Sequence, residues 1–405
     1  MCDWFSEARF GMFIHFGLYS IPAGIWQGDT MPGSWYAEWL QTRSAVPLNS
    51  YRELAARFNP QECNAETWVN EAALAGMKYL LITAKHHDGF ALWPSKVSDY
   101  NIVAATPFHR DIIRELESAC LARGLKFGVY YSHWLDWEYP GGGMPLWPTQ
   151  EQPEDQQFEA YWQNKCLPQV AELLENYQIS YLWFDNWAPT PLLTPKRIDS
   201  LIDLIRKIKP ECLINSRIGS TWNHPEAKID ITSMADNQFP ETRLDGKWET
   251  SATLNRSWGY HQLDFAWKST RELLECLVNN VSRNGNFQLN VGPMANGQLP
   301  TPAIRRLREI GAWLNSNGEA IYQAKPVDAP EPSWGRLTER QDLQRIYALI
   351  LQNGRELSLR KFRDFSRAVI LETGQELPIR QTEKNIILTL PEECCSQDIN
   401  VIALQ

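Results

Sequence analysis

Tyr181-Leu182-Trp183-Phe184-Asp185-Asn186-Trp187 is an apolar, aromatic run that stops abruptly on a carboxylate, with Ala188-Pro189 behind it. A short run of β-formers ending at an Asp reads as a buried strand delivering that Asp to its carboxyl end. In a parallel α/β barrel, that end carries the chemistry. An Asp capping the following turn is the plainer reading, and the flanking sequence decides between them.

On both sides the same unit recurs. Helical patterns over 154–177 and 195–208 bracket the run, and an apolar stretch at 212–216 (CLINS) follows. Upstream, 10–17 (FGMFIHFG) is strand-like, with His15 near its end. A Trp-, Gly- and Pro-rich loop over 25–39 leads to a helix at 64–76, with Asn64 as N-cap and Gly76 as stop. Strand 77–83 then runs into Ala84-Lys85-His86-His87-Asp88-Gly89-Phe90, and helix 110–123 precedes strand 125–131, which runs into Ser132-His133-Trp134. Downstream, 229–234 reads as a further strand and 236–250 as a polar loop. Helix 270–283, strand 287–291 and helix 301–316 complete the series.

Alternation of this kind predicts a parallel α/β fold, and its length favours a (β/α)8 TIM-like barrel. Polar and aromatic residues recur after many strands, whereas a doubly wound sheet gathers ligands at one switch point. The Pro-rich segment 326–332 reads as a linker. Beyond it, short alternating strands at 345–351, 356–359, 368–372, 385–390 and 400–404 predict a small antiparallel β-sandwich. The expected division is therefore a catalytic barrel over 1–326 and a C-terminal β-sandwich over 327–405.

Among 405 residues, 18 are Trp, far above ordinary usage, which suits either large cores or platforms for the flat faces of sugars. A net charge of −9 without a basic stripe argues against nucleic acid and anionic membranes as partners. No apolar run approaches the length of a membrane span. The eight Cys are scattered without C-x-x-C pairs, and Met1–Glu7 lacks a leader pattern. A cytoplasmic protein is expected, periplasmic or secreted had a leader been removed.

For chemistry, Asp185 stands first. His86, His87 and Asp88 suggest a metal, but neighbouring strand residues point to opposite sides; hydrogen bonding to a polyol is the better reading. His15 alone reads as structural, as does each Trp taken singly. Trp35, Trp134, Trp183, Trp187, Trp222 and Trp258 together suggest a sugar pocket. Glycosidic hydrolysis needs a second carboxyl group, and 236–250 offers Asp236, Glu241, Asp245 and Glu249. Glu249 follows Trp248, whose bulk would desolvate it and raise its pKa. There is no G-x-S-x-G elbow, G-x-G-x-x-G or P-loop. The residues reach a barrel hydrolase acting on a carbohydrate.

Several motifs resemble the α-L-fucosidases of glycoside hydrolase family 29. They are Phe10 to Ser20, Ala84 to Phe90 continuing through Asn101, Phe127-Gly128-Val129-Tyr130-Tyr131-Ser132, Trp183-Phe184-Asp185, Trp248-Glu249-Thr250, Ser257-Trp258-Gly259-Tyr260 and Asn284 to Pro293, in the family's order. The resemblance covers about 4–320. It implies a retaining exo-glycosidase that removes terminal α-L-fucose from a fucosylated oligosaccharide or glycoconjugate, without metal or organic cofactor. Asp185 matches the nucleophile; His15, His86, His87, Tyr131 and Trp183 match positions that hold the sugar, and Trp35 and Trp258 resemble pocket aromatics. Glu249 is the expected acid/base, with Asp236 and Glu241 as alternatives. Ser34 departs from the Glu that many relatives carry before Trp35-Tyr36, and Gln238-Phe239-Pro240-Glu241 matches only in part. Two other readings stand beside this one: a metal-dependent barrel hydrolase built on His15, His86, His87 and Asp88, and a non-catalytic fucose-binding protein. The sequence does not indicate linkage preference or oligomeric state.

Overall fold

The computed structural model describes residues 3–146, 151–352, 354–392 and 399–405. Its centre is a sheet of eight parallel strands. In chain order these are β1 (Phe10–Ile14), β2 (Tyr79–Lys85), β3 (Lys126–Tyr131), β4 (Tyr181–Trp183), β5 (Leu213–Ile214), β6 (Thr232–Ser233), β7 (Trp248–Thr253) and β8 (Gly285–Val291). Strands β1 to β5 and β6 to β8 each pair with their sequence neighbours, and β1 pairs with β8 through Phe10↔Phe287. Between β5 and β6 the backbone closes through the parallel bridge Asn215↔Ile231 and the bond from Ser216 N to Ile231 O at 2.7 Å. The expected barrel is the observed one.

Helices α1 (Ala65–Leu74), α2 (Ile112–Ala122), α4 (Pro195–Ile208), α5 (Thr270–Ser282) and α6 (Thr301–Asn317) pack outside. Their starts follow local chemistry. Asn64 accepts from Thr67 N, Asp111 from Arg114 N, and Thr194 from Arg197 N ahead of a Pro at the first turn. Ser269 and Glu272 form a reciprocal capping box. Between β3 and β4 lies α3, made of Asp155–Tyr161, a π turn at Trp162–Cys166, and Leu167–Asn176. Pro168 brings no N–H to the junction and interrupts the regular ladder there.

That π turn presents Lys165 to a buried ion cluster. Lys85 Nζ lies 2.7 Å and Lys165 Nζ 3.0 Å from Asp136 Oδ2, all three side chains fully buried. Burial alone would raise the Asp136 pKa, but the two ammonium groups bring it down to about 2. The cluster fixes the β3–α3 loop against the end of β2.

Two features depart from the sequence expectation. The segment read as a loop over 236–250 ends in a full strand, β7, which carries Glu249. No α-helix is found among the described residues connecting β5 to β6 or β6 to β7; irregular loops make both crossings.

Beyond the barrel, antiparallel strands form a five-stranded sheet (Lys325–Pro326, Gly335–Arg340, Arg345–Ile350, Ala368–Ile370, Val401–Leu404) and a three-stranded one (Glu356–Arg360, Ile379–Gln381, Asn385–Thr389). Pairing begins at Lys325↔Glu339, ahead of the Pro-rich segment. Sequence reading missed Gly335–Arg340 and Ile379–Gln381. Cys394 and Cys395 lie outside the described residues.

Candidate active site

A cavity of about 440 Å³ opens where the barrel strands end at their carboxyl side, the face that carries function in this architecture. β1 delivers His15, β2 leads to His86, β3 carries Tyr130, and β4 runs through Trp183 to Asp185. Arg217 follows β5, Met234 to Asp236 follow β6, and Trp258 follows β7.

Two carboxylates share one cation. Arg217 Nη2 donates to Asp185 Oδ1 at 2.5 Å, and Arg217 Nη1 donates to Asp236 Oδ1 at 2.6 Å. The guanidinium lies over the Trp183 ring, 4.9 Å from its centroid. Burial works against its charge, but Asp185 and Asp236 outweigh that and lift its pKa. Asp185 Oδ2 accepts from Tyr130 OH at 2.8 Å, and Trp134 Nε1 donates to the Asp185 carbonyl at 2.9 Å. Asp185 is therefore a carboxyl group oriented by an arginine and a tyrosine donor.

The histidines are neutral hydrogen-bonding groups. Burial pushes the His15 pKa down to about 3 and those of His86 and His87 well below the usual value. Ser132 Oγ donates to Leu135 O at 2.8 Å, so it accepts from His87 Nδ1 at 2.7 Å. The Nδ1–H tautomer leaves His87 Nε2 as an acceptor, 3.7 Å from Asp185 Oδ2. Two acceptors at that spacing suit a hydroxyl hydrogen shared between them. His15 Nδ1 bonds Asn290 Oδ1 at 2.7 Å in the same tautomer, while Asn290 Nδ2 donates to Trp258 O. His86 lines the cavity and His87 reaches Asp185, with ring centroids 4.1 Å apart, because the chain leaves the strand at Lys85. The expectation that adjacent residues diverge holds only inside a strand. Gly89, at φ +75°, makes the turn that follows, and a Cβ there would meet Asp136 Oδ1 at 2.5 Å.

Glu38 joins this wall without having been singled out in the sequence. Its Oε2 accepts from Gly259 N at 2.9 Å, while Oε1 has no protein partner. Burial raises its pKa, Gly259 N–H opposes, and the charges of Asp236 and Asp185 assist, leaving it at about 8. At neutral pH it is a carboxylic acid, able to donate.

Of the residues named from sequence, His15, His86, Trp183, Asp185, Trp187, Trp222, Asp236 and Trp258 line the cavity, and His87 stands beside Asp185. Others lie elsewhere. Glu249 is wholly buried inside the barrel beneath Trp183 and does not line the cavity. Its oxygens accept from Tyr181 OH at 2.5 Å, Ser233 Oγ at 2.7 Å, Trp183 Nε1 at 2.8 Å and Gln288 Nε2 at 2.6 Å. A carboxylate so enclosed meets no glycosidic oxygen. Glu241 is exposed and also outside the cavity. Tyr131 turns away, donating to Gln169 Oε1 at 2.9 Å beneath Lys85; its neighbour Tyr130 shares the face of Trp183, with which it is in register. Trp35 packs on His261 at the rim, outside the cavity lining, whereas Ser34 and Tyr36 line it. Asp88 accepts from Tyr51 OH at 3.0 Å, away from the three histidines. Among the described residues, no group of three or more His, Cys, Asp or Glu is placed to hold a metal ion.

A parallel barrel whose open end sets two carboxylates among neutral histidines and tryptophans defines a glycoside hydrolase. The chain belongs to the α-L-fucosidase family, glycoside hydrolase family 29: residues 1–319 match it. It is 33% identical over 344 residues to the tissue α-L-fucosidase of Mus musculus, covering 80% of this chain and 72% of the relative. Among solved structures, it is similar to the α-L-fucosidase of Vibrio sp. strain EJY3, at TM-score 0.92 and 34% identity over 99% of this chain and 72% of that one. The α-L-fucosidase isoenzyme 1 of Paenibacillus thiaminolyticus gives TM-score 0.86 and 33% identity over 100% and 98%. An α-L-fucosidase of Bacteroides thetaiotaomicron, at TM-score 0.88 and 27% identity over 99% and 95%, has been crystallised as a covalent intermediate trapped with 2-fluoro-fucosyl fluoride.

Proposed function

We propose that this chain is a retaining α-L-fucosidase that releases terminal α-L-fucose from fucosylated glycans, with Asp185 as nucleophile and Asp236 as acid/base. The observation that carries it is the pair of carboxylates on one guanidinium, above a cavity of neutral hydrogen-bonding groups. Family membership and the trapped intermediate of the Bacteroides relative support double displacement.

Asp185 attacks the anomeric carbon while Asp236 gives its proton to the departing glycosidic oxygen, so the leaving sugar departs neutral. Asp236 then takes a proton from water, which attacks the same carbon and frees Asp185. Two inversions retain configuration. Arg217 and Tyr130 hold Asp185 aligned, and the neutral histidines and Glu38 serve the sugar hydroxyls. Asp236 takes the acid/base role in place of Glu249 because it reaches the cavity.

The test is release of fucose from an aryl α-L-fucoside. Asp185→Ala is expected to lose about three orders of magnitude in kcat, the scale of a lost nucleophile. Asp236→Ala with added azide, which takes the place of water in the second inversion, is expected to yield α-fucosyl azide, whereas Asp185→Ala with azide, by a single inversion, gives the β-azide. Azide rescue confined to Glu249→Ala would return the acid/base role to Glu249.

A further inference from the structure

Fucose is small for this cavity, and the residues around the opening differ sharply from those beneath. The floor residues Phe13, His86, Trp183 and Trp258 are buried. Moving outward, the Asp185 side chain is 13% exposed and the Asp236 side chain 33%, and Trp222, which lines the same cavity, is 52% exposed. If Asp236 protonates the glycosidic oxygen, the leaving group lies on the outer side of Asp236, towards Trp222.

A lone exposed Trp is ordinary on a protein surface. Trp222 differs in how firmly it is held. It sits on the β5–β6 connection, five residues beyond Arg217, the side chain that binds Asp236. Asn223 N and His224 N both bond to Gly219 O, at 2.9 and 3.0 Å. Asn223 Nδ2 donates to Thr190 O, and His224 Nε2 pairs with Asp199 Oδ1 at 3.0 Å. The backbone around the indole is therefore tied down on both sides, while the indole makes no ring contact among the described residues. Rigid backbone beneath an open indole face at a cavity mouth is a preorganised stacking platform.

We propose that Trp222 forms the leaving-group subsite, stacking on the pyranose ring that carries the fucose. This rests on the α-L-fucosidase reading and adds the substrate class: the enzyme acts on fucose attached to another sugar in preference to fucose on a small leaving group. The contact is made in the ground state and kept in the transition state, so it acts through KM more than kcat.

The experiment compares wild type, Trp222→Ala and Trp222→Phe on α-L-fucosyl fluoride, which has no leaving-group ring, and on a panel of fucosyl disaccharides. Trp222→Ala should lose about tenfold in kcat/KM on the disaccharides that wild type prefers. The loss should fall mainly in KM, with the fluoride reaction and the melting temperature unchanged. Trp222→Phe should recover most of it. An unchanged disaccharide rate, or an equal loss on fluoride and disaccharide, overturns the subsite. Wild type inert on fucosyl fluoride overturns the fucosidase reading itself, a result distinct from either.

Discussion

Glu38 is the residue whose protonation matters most to sugar binding in this site. With a pKa of about 8, it is neutral at pH 7, and its unpartnered Oε1 belongs to an acid that can donate a hydrogen bond. As pH rises through about 8, it becomes an anion beside Asp185 and Asp236, and the donor is lost. KM for an aryl fucoside should therefore rise above about pH 8 in wild type. In Glu38→Gln, which stays neutral, KM should stay flat to pH 9. Glu38→Ala should raise KM about tenfold below about pH 8, the scale of one hydrogen bond, and the gap to wild type should close as pH rises past about 8. A rise shared by Glu38→Gln would assign the ionisation to another group. At this scale the sequence was uneven. Asp185 was legible because the strand–helix alternation on both sides places the carboxylate that ends this apolar run at the open end of a barrel. Glu38 was not, since a Glu in a single 3-10 turn between Ala37 and Trp39, inside a stretch that reads as loop, has no pattern to mark it. Tyr130 and Tyr131 are adjacent on β3, and sequence alone carries no phase to say which one faces the cavity.

At the scale of the element, β7 shows why a strand can go unread. Trp-Glu-Thr-Ser-Ala-Thr (248–253) looks like polar loop because its alternate residues enter a barrel interior that is itself polar. Glu249 and Ser251 point to Gln288 on the neighbouring strand, and the usual apolar-in pattern is absent. The β5–β6 and β6–β7 crossings were hard to read for a related reason, as neither has a helical period. Glu249 then has a structural task, joining β4, β6, β7 and β8 under Trp183. Burial pushes its pKa up to about 7, against the pull of the donors from Tyr181, Ser233 and Trp183. A folded pKa above the unfolded value, ordinarily about 4.3, means that unfolding releases its proton within that window. The stability it carries is fully present below about pH 4.3 and is lost as pH rises through about 7. That loss is about 4 kcal/mol at most. Glu249→Gln does not titrate, so the wild-type advantage in Tm over this variant should narrow between pH 4.5 and 7.5. An advantage constant over that range would show that Glu249 keeps one protonation state throughout. Kinetically, Glu249→Gln should keep the azide-independent chemistry that Asp236→Ala loses.

At the scale of the molecule, the five-stranded C-terminal sheet is shared between two cores. Tyr347 and Leu349 belong to the core that includes the barrel, while Ile346, Ala348 and Ile350 join the core against the three-stranded sheet. The alternation along one strand assigns its two faces to two neighbours. Val401 and Ala403 repeat it against Ile402 and Leu404. Polar contacts reinforce the junction: Trp313 Nε1 donates to Ile399 O at 2.7 Å, Thr338 Oγ1 to Ala320 O at 2.8 Å, and Arg345 Nη1 to Glu319 Oε1 at 2.8 Å. The Tyr347 hydroxyl also donates to Glu319. The sequence announced a change of architecture near the Pro-rich segment, but a linker suggests independence, and face sharing depends on which side of a strand meets which neighbour. Calorimetry should therefore give one cooperative transition for barrel and sheets together, with fucosidase activity lost along it. Tyr347→Ala removes a fully buried ring from the shared face at a cost of about 3–5 kcal/mol. It should move that single transition to lower temperature and carry the loss of activity with it, although Tyr347 lies far from the cavity lining. Two resolved transitions, with activity following only the upper one in Tyr347→Ala, would mean that the sheets melt on their own and that the barrel stands without them.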